Sequence, residues 1–106
     1  MHTSILIVDD DPDIRESLSD MLSHEGYQVQ SAASGTEALQ HAKQERYEAA
    51  LLDIHLPDLN GLSVLKVLLE LDTFLPVIIL TGEATPDNTI GALSKGAFAY
   101  LTKPYN

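Results

Sequence analysis

The chain has 106 residues, 44% of them hydrophobic and 6% aromatic, which suits a single aliphatic-cored domain and leaves no length for a second. Its formal charge of -10, from 16 acidic against 6 basic residues, argues against direct DNA or RNA binding, because a phosphate backbone needs a basic face. No apolar run approaches the roughly 20 residues of a membrane span, no basic stretch followed by an apolar core marks a signal peptide, and the lack of cysteine excludes disulfide stapling. A soluble, cytoplasmic domain with no membrane association is expected.

Short apolar runs alternate with stretches of helical period, the pattern of repeated strand and helix units. Ser4 to Val8 reads as the first strand. The first helix begins near Asp11-Pro12, with Asp11 as cap and Pro12 suited to the first helical position, and Gly26 supplies its stop. Ile14, Leu18, Met21 and Leu22 fall on one face of it. Tyr27 to Ala32 reads as a second strand, and its polar residues suit an edge. Ser34-Gly35-Thr36-Glu37 fits a capping box, in which hydroxyl and carboxylate each satisfy a backbone donor at a helix start.

Ala49 to Leu52 is the third strand, ending at Asp53. The turn formers Leu56-Pro57-Asp58-Leu59-Asn60-Gly61 predict a loop before the third helix, whose apolar stripe is Leu62, Leu65, Leu68 and Leu69. Pro76 introduces the fourth strand, Val77 to Leu80. Thr85-Pro86 starts a fourth helix that contains Gly91 and stops at Gly96, and Ala97 to Leu101 forms the fifth strand. Right-handed crossovers then place helices on both faces of a parallel sheet. The expected fold is α/β, doubly wound and flavodoxin-like, with five strands.

Four of these apolar runs stop on residues that handle phosphate or metal: Asp9-Asp10-Asp11, Asp53, Thr81 and, through Thr102, Lys103. In a parallel sheet, the carboxyl ends of neighbouring strands share one crevice. Phosphoryl transfer to a carboxylate needs a nucleophilic oxygen, a divalent cation and donors aimed at the transferred group. Asp53 stands alone at its strand end and is the candidate nucleophile. Asp9 and Asp10 suit a hard cation such as Mg²⁺, or Mn²⁺ in its place. Lys103 offers a point charge and Thr81 a hydroxyl. Each has a plain alternative: a turn residue at Asp53, helix capping by Asp9 and Asp10, a loop hydroxyl at Thr81 and a solvated charge at Lys103.

With these residues in order, the chain resembles a response-regulator receiver domain of two-component signalling, a member of the CheY-like superfamily. The resemblance rests on Ile5-Leu6-Ile7-Val8-Asp9-Asp10-Asp11-Pro12, on Leu52 to Gly61, on Leu80-Thr81-Gly82 and on Tyr100-Leu101-Thr102-Lys103-Pro104. It covers essentially the whole chain, and implies the strand order 2-1-3-4-5. It also implies that Asp53 accepts a phosphoryl group from a sensor histidine kinase or phosphotransfer domain. By the same resemblance, Asp9, Asp10, Asp53 and the backbone carbonyl of His55 bind Mg²⁺, and Lys103 contacts the phosphoryl group beside a cis bond to Pro104. Thr81 and the ring of Tyr100 are then the moving parts of a switch, Tyr100 having plain packing as its alternative. The side chains of His55 and Glu83 influence the lifetime of the signal, or are solvent-exposed bystanders.

The family also packs a fifth helix beside the first. Residues 1–106 hold no such segment after Lys103-Pro104-Tyr105, so exposed apolar surface, reduced stability and self-association are expected. Three rivals stand beside a phosphoacceptor module from a response regulator or hybrid histidine kinase. An aspartyl-phosphate phosphatase would need a second acid near the nucleophile, where His55 stands, and a cap domain. A flavodoxin-like cofactor binder would need a phosphate cradle of Ser, Thr and Gly. A docking-only receiver would need none of the catalytic positions that are filled here.

Overall fold

A computed structural model describes residues 3–82 and 86–102, with residues 86–89 described by their backbone alone. The elements run Ser4–Val8 (β1), Pro12–His24 (α1), Gln28–Ala32 (β2), Gly35–Gln44 (α2), Ala49–Asp53 (β3), Gly61–Leu71 (α3), Val77–Thr81 (β4), Pro86–Ser94 (α4) and Ala99–Thr102 (β5). All strand pairs are parallel, in the order β2-β1-β3-β4-β5. The expected doubly wound sheet is therefore present, and polar β2 lies at an edge.

Period-two alternation divides the sheet between two cores. Leu6, Val8, Leu52 and Ile79 face the larger one, with Ala38 from α2, Val64, Leu65 and Leu68 from α3, and Ala92 from α4. Ile5, Ile7 and Leu80 face the smaller one, under Leu18 of α1. Leu6, Ile7, Leu52 and Ile79 have no exposed surface, and each such side chain contributes about 1.5–3 kcal/mol by burial. The central strands thus read as continuous apolar runs, because both of their faces are covered.

Helix starts follow the local chemistry. Asp11 caps α1, its Oδ1 accepting from the Asp13 amide at 2.9 Å, and Pro12 is the first helical residue. Ser34 caps α2, its Oγ accepting from the Glu37 amide at 3.2 Å. Only that half of the expected capping box forms. Glu37 Oε1 instead accepts from the Ala33 amide at 2.6 Å, one residue before the cap.

Other expectations need correction. Met21 is 51% exposed, since Leu18 takes the centre of the α1 stripe while Ile14 and Leu22 pack at its margins. The fully covered apolar side chains of α3 are Val64, Leu65 and Leu68, while Leu62 and Leu69 pack against the core partly buried. β2 begins at Gln28 rather than Tyr27, and β5 at Ala99 rather than Ala97, each after a turn through a glycine. The expected cap Thr85 lies outside the described residues.

Candidate metal and phosphoryl site

β1 and β3 are in register Val8 to Leu52, so the residues that follow, Asp9 and Asp53, leave the sheet level with each other. Both are buried, at 2% and 6% exposure, whereas Asp10 is exposed. Buried carboxylates demand partners. Each of the two makes the same local turn. Asp9 Oδ1 accepts from the Asp11 amide at 3.0 Å, and Asp53 Oδ1 accepts from the His55 amide at 3.0 Å. These i to i+2 bonds fix the carboxylates and bend the chain away from the sheet. Arg15 Nη1 donates to the backbone carbonyl of Asp9 at 2.7 Å and so ties α1 to the same corner.

One oxygen from each of Asp9, Asp10 and Asp53 lies within 4.8 Å of the others. Oxygens on an octahedral Mg²⁺ lie about 2.9 Å apart when adjacent and about 4.2 Å when opposite, so the set suits a hard divalent cation once the carboxylates close in around it. Three carboxylates this close repel one another when ionised, and such a cation relieves that repulsion.

Thr81 ends β4 with no exposed surface. Asp53 pairs with Leu80, which puts Thr81 one residue farther out along the neighbouring strand. On the other side, Ile79 pairs with Tyr100, and both belong to the larger core. Alternation puts Thr81 on that same face, so Thr81 and the half-buried Tyr100 are diagonal neighbours on β4 and β5. Lys103 and Glu83 lie outside the described residues.

The loop from Ile54 to Asn60 borders an open depression of about 450 Å³, with Asp10 on its far side and the exposed His55 on its wall. His55 pairs with Asn60 in an isolated antiparallel bridge, and the Gly61 amide donates to the Ile54 carbonyl at 2.9 Å. A side chain at Gly61 would collide with the Ile54 backbone, so only glycine lets α3 start this close to β3.

In the sequence, Asp58 reads only as a turn former within Leu56-Pro57-Asp58-Leu59-Asn60-Gly61. Its Oδ1 accepts from the Gly35 amide at 2.9 Å, and its Oδ2 from the Thr36 amide at 2.9 Å and the Thr36 hydroxyl at 2.5 Å. The Thr36 hydroxyl, followed by the Thr36 amide, pulls its carboxyl down from 3.8 to about 2. No spacing rule reveals a contact between residues 22 and 23 positions apart.

The response regulator receiver domain model matches residues 5–106. Transcriptional regulatory protein PrrA of Mycobacterium leprae is 40% identical over 101 residues, covering 95% of this chain and 43% of its own. The chain thus spans less than half the length of that relative. A CheY-like receiver domain protein from Methanospirillum hungatei superposes with a TM-score of 0.97 at 40% identity, covering 100% of this chain and 85% of that one. A response regulator from Burkholderia pseudomallei, solved with a phosphorylated aspartic acid, a calcium ion and citrate, gives 0.94 at 34% identity, covering 98% and 61%.

Proposed function

The chain belongs to the response regulator receiver family, and from that membership we propose that it is a phosphoacceptor whose acceptor is Asp53. The observation that carries the reading is the meeting of Asp9, Asp10 and Asp53 at the carboxyl ends of adjacent parallel strands. The phosphorylated aspartic acid and calcium ion of the Burkholderia relative support it. In the transfer, an Asp53 carboxylate oxygen bonds to phosphorus while the bond from phosphorus to the histidine nitrogen of a sensor kinase or phosphotransfer domain breaks.

Asp9, Asp10, Asp53 and the His55 carbonyl would hold Mg²⁺, or Mn²⁺ in its place. The cation supplies positive charge against the crowded phosphoryl and carboxylate oxygens. The Asp11 and His55 amides hold two of the carboxylates in place. Lys103 balances the phosphoryl charge, Thr81 donates its hydroxyl to the new group, and Tyr100 follows inward as the readout. The diagonal placement of Thr81 and Tyr100 supports that pairing. His55 and Glu83 set how fast water removes the group, and unchanged decay in phosphorylated His55→Ala and Glu83→Ala proteins would remove this role.

The chemistry is signalling through self-modification rather than turnover of an external substrate. Similarity to a relative named as a transcriptional regulator supports an output in transcription over a hybrid-kinase setting. The net charge of -10 supports leaving nucleic-acid contact to other parts of such a regulator.

Incubation with Mg²⁺ and acetyl phosphate, followed by intact-mass measurement, tests the reading. One phosphoryl group is expected on the wild type and none on Asp53→Asn with an unchanged circular-dichroism spectrum. Equal labelling of both proteins, or none of the wild type, sinks it.

A further inference from the structure

The loop that leaves Asp53 is held at two places. At its base, the His55 and Asn60 bridge and the close approach of Gly61 to Ile54 join its two ends. At its tip, Asp58 reaches across to α2 and accepts from both Gly35 and Thr36. The same junction is tightly packed: a side chain at Gly35 would meet Leu59 Cβ and Val64 Cγ2 at 2.9 Å.

This cap differs from an ordinary one. Helix α2 already has its own capping residue, Ser34, which takes the Glu37 amide. Asp58 takes the two amides that Ser34 leaves and places a carboxylate at the positive end of the helix. It does so from the loop that carries His55, not from the chain entering the helix. It is also separate from the cation cluster, which among the described residues comprises Asp9, Asp10 and Asp53.

We infer that Asp58 is a positioning residue for the cation site: by bonding Gly35 and Thr36 it locks the loop of residues 54–60 to the start of α2, and so aims the His55 carbonyl at the cation. The inference rests on the reading of Asp9, Asp10 and Asp53 as that site. It makes α2 a part of the site's framework. Cation binding then reaches the Gly35 and Thr36 amides through the Asp58 carboxylate.

The test uses the whole chain, with Mg²⁺ as the probe, calorimetry for affinity and amide NMR for response. In the wild type, Mg²⁺ shifts the Gly35 and Thr36 amide signals. In Asp58→Ala, the dissociation constant rises about tenfold, the low end for groups that orient metal ligands, and those two signals stop responding. Thr36→Ser keeps wild-type affinity, and Thr36→Val loses part of it. Ser34→Ala weakens α2 without touching the loop and should leave Mg²⁺ affinity unchanged.

Wild-type affinity in Asp58→Ala would overturn the inference, as would equal weakening by Ser34→Ala. Should Asp58→Ala fail to fold, Asp58→Asn, which keeps one acceptor oxygen, decides instead: an intermediate affinity supports the role and a wild-type one overturns it. Asp53→Asn separates the two levels. If it binds Mg²⁺ as well as the wild type, the cation site itself is wrong. If it loses Mg²⁺ while Asp58→Ala keeps it, only the role of Asp58 falls.

Discussion

Arg15 reaches back to Asp9, its Nη1 donating to the backbone carbonyl at 2.7 Å from the first turn of α1. The guanidinium therefore holds the main chain of a residue whose side chain belongs to the Asp9, Asp10 and Asp53 cluster. Arg15→Met keeps the aliphatic stem and removes the donor. It should cost about 1.5–3 kcal/mol, the range for hydrogen bonds to charged groups, in urea unfolding at neutral pH. A variant as stable as the wild type would show that water replaces this bond without loss.

Mg²⁺ should raise thermal stability, because only the folded chain gathers Asp9, Asp10 and Asp53. At a hundred times its dissociation constant, a ligand adds about 2.7 kcal/mol, which is roughly ten degrees or more for a domain of this size. Asp9→Asn and Asp10→Asn should each shrink the increment in scanning calorimetry. Melting that ignores Mg²⁺ in the wild type would count against the site.

Acid should expose the contribution of Asp58. Its carboxyl lies at about 2 in the folded chain against an ordinary 3.8, with the Thr36 hydroxyl as the largest cause. The folded state therefore holds the proton less tightly than the unfolded one. The stabilisation is present above the ordinary value and is lost as pH falls from there through about 2. Thr36→Val should flatten stability against pH within that window, and carboxyl NMR should show Asp58 titrating higher. An unmoved Asp58 titration in Thr36→Val would refute the assignment of cause.

Tyr47 gives the opposite case. Tyr47 is 7% exposed, and its buried hydroxyl makes no well-formed hydrogen bond among the described residues, with Glu45 close enough for only a weak one. Burial, with the charge of Glu45 second, pushes the phenol above its ordinary 10.0. Below 10 both states keep the proton; above it the unfolded chain ionises first, so stability falls as pH rises towards the folded value. Tyr47→Phe removes a buried group that gains little from its surroundings. Neutral-pH stability should stay within about 1 kcal/mol of the wild type or rise, and part of the alkaline loss should vanish. A large neutral-pH loss would reveal a bond to that hydroxyl.

These cases show why some features are legible in the chain and others are not. The strand ends at Asp9, Asp53 and Thr81 stand out because apolar runs stop on polar residues, and a doubly wound sheet brings such stops together. Asp11 and Ser34 are legible as caps because capping acts within three residues. The link from Asp58 to Thr36 spans two separate elements, and its turn-forming neighbours give Asp58 a sufficient local explanation. Met21 illustrates a further limit: helical period identifies an apolar stripe, while its edges depend on what packs above it.

The register of the sheet also constrains how this chain can change. Leu80 and Thr81 are consecutive, yet Leu80 faces the smaller core and Thr81 the side of Ile79 and Tyr100. Deleting a single residue within β4 would leave the threonine in the chain but exchange the two faces. Substitution can adjust this site step by step, whereas insertion or deletion inside the strand would move its parts all at once, and length variation is confined to the connections.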